Sequence, residues 1–191
     1  MDSFEWTGIP SKVIFGAGKI KTLPDILSSM NLNRCILLTT PNQHHLGDLV
    51  ATLIGEKAVT AFHQATMHTP LHVTEQATKV AKETQVDSTI SIGGGSTTGL
   101  GKAIAIRLGI PQICIPTTYA GSEMTPTLGE TVNSRKTTRR DEAIRPNVVV
   151  YDVDLTLKLP VRTSLTSGMN AIAHAGEFSP GIVVGERFVL C

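Results

Sequence analysis

The chain has 191 residues, enough to bury a sizeable core but closer to one and a half domains than to two. Lys and Arg number 17 against 16 Asp and Glu, and a net charge of +1 sets up no field for nucleic acid or an anionic membrane surface; a nucleotide-sized ligand suits this balance better. Cys35, Cys114 and Cys191 have no metal-ligand spacing, no apolar run approaches the roughly 18 residues of a membrane span, and the N-terminus lacks a secretory apolar stretch, so a cytoplasmic protein is expected.

Apolar, β-branched runs alternate with helical patterns along the chain. KVIFGAG (12–18) reads as a strand with a glycine exit and KIKTLPDILSSM (19–30) as a helix in spite of Pro24. RCILLTT (34–40) is a buried strand, HHLGDLVATLI (44–54) a helix and KAVTAF (57–62) a strand. In HVTEQATKVAKETQ (72–85), Val73, Ala77, Val80 and Ala81 recur at helical spacing. Strand STISI (88–92), helix TTGLGKAIAIRL (97–108) and strand QICIP (112–116) follow directly. Such alternation predicts an α/β fold, a Rossmann-like parallel sheet with helices on both faces. Beyond it, residues 122–160 suggest a β-hairpin excursion before a last strand, NVVVYD (147–152), and a helix is expected from Thr163.

The chemistry gathers at two strand exits. In ISIGGGSTTGLGKAIA (90–105) a strand passes through Gly93, Gly94 and Gly95 into a helix start carrying Ser96, Thr97 and Thr98. Glycines let a ligand approach the backbone, and the first amides of a helix carry the positive end of its dipole, so the stretch suits a phosphate. Its spacing is neither G-x-G-x-x-G nor the Walker pattern, and a turn needing glycine for its shape alone would carry the same letters. IPTTYAGSEMTP (115–126) puts Thr117, Thr118 and Ser122 just past another strand's carboxyl end, where open α/β sheets bind ligands. Arg135, Lys136, Arg139 and Arg140 form a basic cluster that suits a carboxylate, or equally a solvated hairpin with Asp141 and Glu142 as partners.

The run IGGGSTTGLGKAIAIRLGIPQICIPTTYAGSEMT, followed by RKTTRRD, VVYDVDLTLKLP and SGMNAIAHA, resembles the maleylacetate reductase branch of the iron-containing alcohol dehydrogenase family over roughly residues 10–175. The resemblance implies that Gly93, Gly94, Gly95 and Ser96, with Thr97 and Thr98, hold the pyrophosphate of NADH or NADPH. Thr117, Thr118 and Ser122 would line the adenosine and phosphate region, and Lys136 would stand near the nicotinamide ribose. It further implies reduction of a carbon–carbon double bond in a small dicarboxylate, giving 3-oxoadipate in aromatic catabolism, and a homodimer pairing through N-terminal edge strands. After the second strand, TTPNQ lacks the acid that binds a ribose 2′-hydroxyl, which leaves NADPH open beside NADH.

Metal-dependent members carry Asp and His four residues apart on a helix, with further histidines later. Here Asn170 and His174 stand at that spacing, and no histidine follows. They are the candidate catalytic residues, and an asparagine at this place favours the maleylacetate reductase branch; the chain is not expected to complete a metal site. His68 and His72, in an expected loop around Pro70, and His44 and His45, at a helix start, read as surface or capping histidines. The resemblance divides the chain into an NAD(P)-binding domain (1–160), the first helix of an all-α domain (161–175) and a divergent tail (176–191). The match stops at AHA, so a truncated second domain is expected; the alternative reading is a fragment that binds NAD(P) without catalysis.

Overall fold

The computed structural model describes residues 11–133, 135–157 and 159–177, with side chains as far as residue 173. Strands β1 (Lys12–Gly16), β2 (Cys35–Leu38), β3 (Ala58–Phe62), β4 (Ser88–Gly93), β5 (Gln112–Pro116) and β8 (Val148–Asp152) form a six-stranded sheet in the order β1-β8-β5-β4-β2-β3. Every pairing in it is parallel. Helices α1 (Leu23–Ser29), α2 (His44–Ile54), α3 (Leu71–Glu83) and α4 (Gly95–Leu108) connect the strands, and α5 (Val161–Glu177) follows β8. A separate antiparallel hairpin joins β6 (Thr127–Val132) to β7 (Arg135–Arg140).

The two-residue period of a strand explains the layers. In β2, Cys35 and Leu37 join Leu23, Leu27 and Val50 on the α1/α2 face, whereas Ile36 and Leu38 join Ala77, Leu100 and Ile104 on the α3/α4 face. Both faces are covered, which is why the strands read as continuous apolar runs. The Rossmann-like α/β architecture expected from the alternation is the one found. Under Gly101 of α4 the sheet presents polar side chains instead, Ser91 and Gln112, and the helix sits close. A Cβ at Gly101 would lie 2.2 Å from both Gln112 Nε2 and Ser91 Oγ.

Topology places a crevice. From β2 the chain crosses to β3 on one side, and from β4 to β5 on the other, so β2 and β4 are neighbours whose crossovers diverge. At such a switch point the loops beyond the carboxyl ends part and leave room for a ligand. Nearby, the buried Asp152 accepts from the amides of Gly18 at 3.0 Å and Ile20 at 2.8 Å, tying the β8 exit to the β1 exit.

Several boundaries differ from those read in the sequence. The expected helix 19–30 is a 3-10 turn, Lys19–Thr22, followed by α1. Pro24 lies in the first turn of α1, where its missing N–H has no carbonyl to serve and its fixed φ fits. His72 belongs to α3, which opens directly after Pro70, rather than to a loop. Helix α4 starts two residues earlier than read, at Gly95. Residues 178–191, most of the expected tail, lie outside the described residues. No helix among the described residues is long and apolar enough to cross a membrane.

Candidate functional site

Strand β4 ends at Gly93 with φ +142°, a conformation that L side chains rarely adopt, and the chain turns through Gly94 into α4. The amides of Gly95, Ser96 and Thr97 stand in the first helical turn, where no intrahelical carbonyl is available to them. At Gly94 the space is tight: a Cβ there would lie 3.2 Å from Thr118 Cγ2. At Gly95 the space is open instead, since the nearest side-chain atom to a Cβ would be Ser122 Oγ at 3.8 Å. That hydroxyl oxygen is buried and has no hydrogen-bond partner among the described residues. An open backbone face, unsatisfied helix amides and an orphaned hydroxyl together make a cradle for a phosphate.

The structure distributes the other expected residues unequally. Ser96 is half-buried at the rim of the cradle and Thr118 flanks Gly94. Thr117 is buried, its amide donating to the Gly93 carbonyl at 2.9 Å and joining the β5 exit to the glycine turn. Thr97 and Thr98 point inward: both are buried, and Thr97 Oγ1 donates to the Gly94 carbonyl at 2.8 Å. The Thr97 hydroxyl shapes the turn from within, while that of Thr98 meets the Cys114 thiol of β5. Lys136 stands exposed on β7, its Cε 3.0 Å from where a Cβ on Gly129 would be, on the hairpin rather than in the cradle. Arg135, Arg139 and Arg140 share that exposed strand; Arg139 pairs with Asp141 at 3.2 Å, while Glu142 pairs with Arg145 at 2.9 Å.

Three features were not legible in the sequence. Gln43, just before α2, donates to Thr117 Oγ1 at 3.5 Å, and its Oε1 lies 3.0 Å from a Cβ position on Gly93, so it bridges the crevice from the β2 side. Lys102 is fully buried in α4, and its Nζ donates to the carbonyls of Ser122, Thr125 and Thr127 and to Thr125 Oγ1. It fixes the segment that carries Ser122. Burial lowers its pKa to about 8, against the negative charge of Glu123. The third is a cavity of about 440 Å³ beyond Thr118, lined among others by Phe15, Tyr119, Glu123, Tyr151 and Val153. The Tyr151 hydroxyl donates to buried Glu123 Oε1 at 2.8 Å, and burial with that carboxylate raises the phenol's pKa.

Helix α5 reaches this cavity: the Tyr119 amide donates to Ser167 Oγ at 2.9 Å. Asn170 follows one turn later and is exposed; His174 lies on the same helix, its side chain outside the described set. A neutral amide and one imidazole do not fit a divalent metal, which takes about three protein ligands in a catalytic site. Among the described residues no group of three His, Cys, Asp or Glu side chains comes together to add to them.

Comparison with known proteins agrees with this geometry. The family model of iron-containing alcohol dehydrogenase matches residues 10–153. Maleylacetate reductase from Rhizobium sp. (strain MTP-10005) is 48% identical over 177 residues, which are 93% of this chain and 50% of the relative. Maleylacetate reductase 1 from Rhodococcus opacus is 46% identical over 179 residues, again 93% and 50%. The crystal structure of maleylacetate reductase from Agrobacterium tumefaciens superposes with a TM-score of 0.90 at 47% identity, covering 93% of this chain and 51% of that one. The chain thus spans about half the length of the relatives it matches. A sulfoacetaldehyde reductase from Bifidobacterium kashiwanohense in complex with NAD+ shares the fold, with a TM-score of 0.82 at 22% identity, over 91% of this chain and 53% of that one. From the family match and these identities, the chain belongs to the iron-containing alcohol dehydrogenase family.

Proposed function

We propose that this chain is the nucleotide-binding half of a cytoplasmic NAD(P)H-dependent oxidoreductase of the maleylacetate reductase type, reducing the double bond of maleylacetate to give 3-oxoadipate. The observation that carries the reading is the cradle at the start of α4, where Gly95 leaves space beside the orphaned Ser122 hydroxyl. The cofactor's pyrophosphate fits there: Gly94, Gly95 and Ser96 offer backbone amides and Ser122 a hydroxyl, with Thr118 along the flank. The apolar cavity under Tyr119 and Tyr151 suits one of its flat rings. Bound in this way, NAD(P)H supplies the hydride for the reduction.

The chain's own residues then hold and orient. Lys102 keeps the Ser122–Thr127 segment in place, Gln43 closes the crevice from the β2 side, and α5, which meets the Tyr119 loop at Ser167, carries Asn170 and His174 farther along its length. The exposed arginines of β7 are the groups suited to a dicarboxylate. A second copy pairing along the open edge of β1 completes the proposal, and sedimentation should show a dimer.

Nucleotide binding without turnover is the second reading, favoured by the exposure of Asn170. Orientation and water exclusion supply roughly 7–11 kcal/mol in the oriented limit, and an open site forgoes much of that. Titrating NADH into the protein while following its fluorescence, then adding maleylacetate and following absorbance at 340 nm, separates the two. Binding with oxidation supports the reductase, binding alone supports the second reading, and no binding removes both.

A further inference from the structure

Helices α3 and α4 pack together on one face of the sheet, and toward their carboxyl ends they border a cavity of about 440 Å³ that the cradle does not use. Glu75, Thr78, Lys79, Lys82 and Glu83 of α3 line it, with Arg107 from the last turn of α4. Glu75, Thr78, Lys79 and Lys82 recur at the three- and four-residue spacing of a single helix face. The side chains that α3 shares with Leu100 and Ile104 of α4 are small, Ala77 and Ala81. Arg107 lies twelve residues along α4 from Gly95, about 18 Å by the helix rise, so the cavity is separate from the cradle.

Most charges around the cavity are already engaged. Lys79 Nζ stands 3.8 Å from Glu83 Oε1. Arg107 donates through Nη1 to the Ala103 carbonyl at 2.9 Å and through Nη2 to both carboxylate oxygens of Glu130, at 2.9 and 3.0 Å. One carboxylate and one ammonium are left over: the side chains of Glu75 and Lys82 make no hydrogen bond or ion pair among the described residues. Thr78, between them, is only 8% exposed, and its buried Oγ1 has no hydrogen-bond partner among the described residues. A buried hydroxyl in a cavity wall calls for a further polar group. Seven residues make nearly two turns, which puts Glu75 and Lys82 on one face about 10 Å apart along the axis. A ligand that meets each through a charge-assisted hydrogen bond of about 2.8 Å must hold its own two charges about 5 Å apart. A lone anion would face the Glu75 carboxylate, and a lone cation would face Lys79, Lys82 and Arg107, so neither suits this lining.

We infer that the cavity binds a small zwitterion of the ω-amino acid class. The ammonium of the ligand meets Glu75, and its carboxylate is shared by Lys82 and by the Thr78 hydroxyl one turn back. The test follows the amide resonances of the labelled protein during titration with 4-aminobutyrate, butyrate and butylamine, with and without NADH. 4-Aminobutyrate is expected to shift Glu75, Thr78, Lys82 and Arg107 at roughly millimolar concentration, and each singly charged analogue to bind about tenfold more weakly. E75Q and K82Q, at exposed positions, should each weaken 4-aminobutyrate about tenfold with the fold intact by circular dichroism. T78V removes the orphaned hydroxyl while keeping its shape; binding should weaken about threefold while the urea midpoint stays level or rises. An equal response to butyrate or to butylamine would overturn the inference, since one charge would then suffice. Full affinity in any of the three variants, or no shift in α3 under a large excess of 4-aminobutyrate, would overturn it as well. Displacement of the probe by NADH would place it in the cradle and overturn the inference, while the nucleotide reading would stand.

Discussion

Gly95 and Lys102, seven residues apart in one helix, act in opposite ways on the same cradle. Gly95 leaves a backbone face open, so Gly95→Val should weaken NADH binding at least tenfold by filling the space beside Ser122. Because the position is exposed, unfolding stability should move by no more than about 0.5 kcal/mol. Chemical denaturation and nucleotide titration on one preparation check both parts. Lys102→Met should instead cost on the order of 3 kcal/mol, since three buried carbonyls lose their shared donor. The lysine also sets a pH dependence. Its folded pKa, about 8, lies below the ordinary value, so above that pH the unfolded chain holds a proton that the folded one has released. Stability therefore rises through this group as pH increases from about 8 toward 10.5. Cys114 and Tyr151, whose pKa values are raised by burial, act in the reverse sense: their contribution begins to be lost above the ordinary thiol and phenol values. Urea midpoints of wild type and Lys102→Met should thus diverge between pH 8 and 9; parallel curves would show that Lys102 does not titrate there.

At the scale of elements, the central strands were legible because they are apolar or β-branched runs buried on both faces, as in Cys35–Leu38 and Val148–Asp152. The glycine turn was legible because Gly93 takes a positive φ that L side chains rarely adopt and Gly94 stands close to the Thr118 side chain. What escaped the sequence was contact between distant segments. Lys102 lies in a helical pattern that shows nothing of the carbonyls more than twenty residues on. His63 gives no local sign that Gly47 and Thr39 hold its ring, and the inward turn of Thr97 and Thr98 depends on which side of α4 meets the sheet. That meeting has its own test. Gly101→Ala would force the helix off Ser91 and Gln112 and should cost about 1–3 kcal/mol, seen as a lower urea midpoint. The hairpin over α4, held by Arg107 to Glu130 at 2.9 Å and by Lys102 to Thr127 at 2.9 Å, should loosen in Lys102→Met, raising amide exchange across β6 and β7.

Over the whole molecule, the open sheet leaves its ligand crevice and one face of α5 on the same side of the fold, joined by the bond from Tyr119 to Ser167. Val161, Leu165, Met169 and Ile172 fall on one helical stripe, and each is more than 60% exposed. A stripe of that kind should bind an apolar dye, and L165E/M169E should remove most of the signal without unfolding the protein; an unchanged signal would place the apolar surface elsewhere. The start of α4 is the proposed seat of the dinucleotide. The most direct test is a titration of NADH followed through the backbone amide resonances of the labelled protein. Gly94, Gly95, Ser96 and Thr118 are expected to shift first and furthest, with Tyr119 and Tyr151 following as the ring enters its cavity. Shifts confined to the β6–β7 hairpin, or none at saturating NADH, would contradict it.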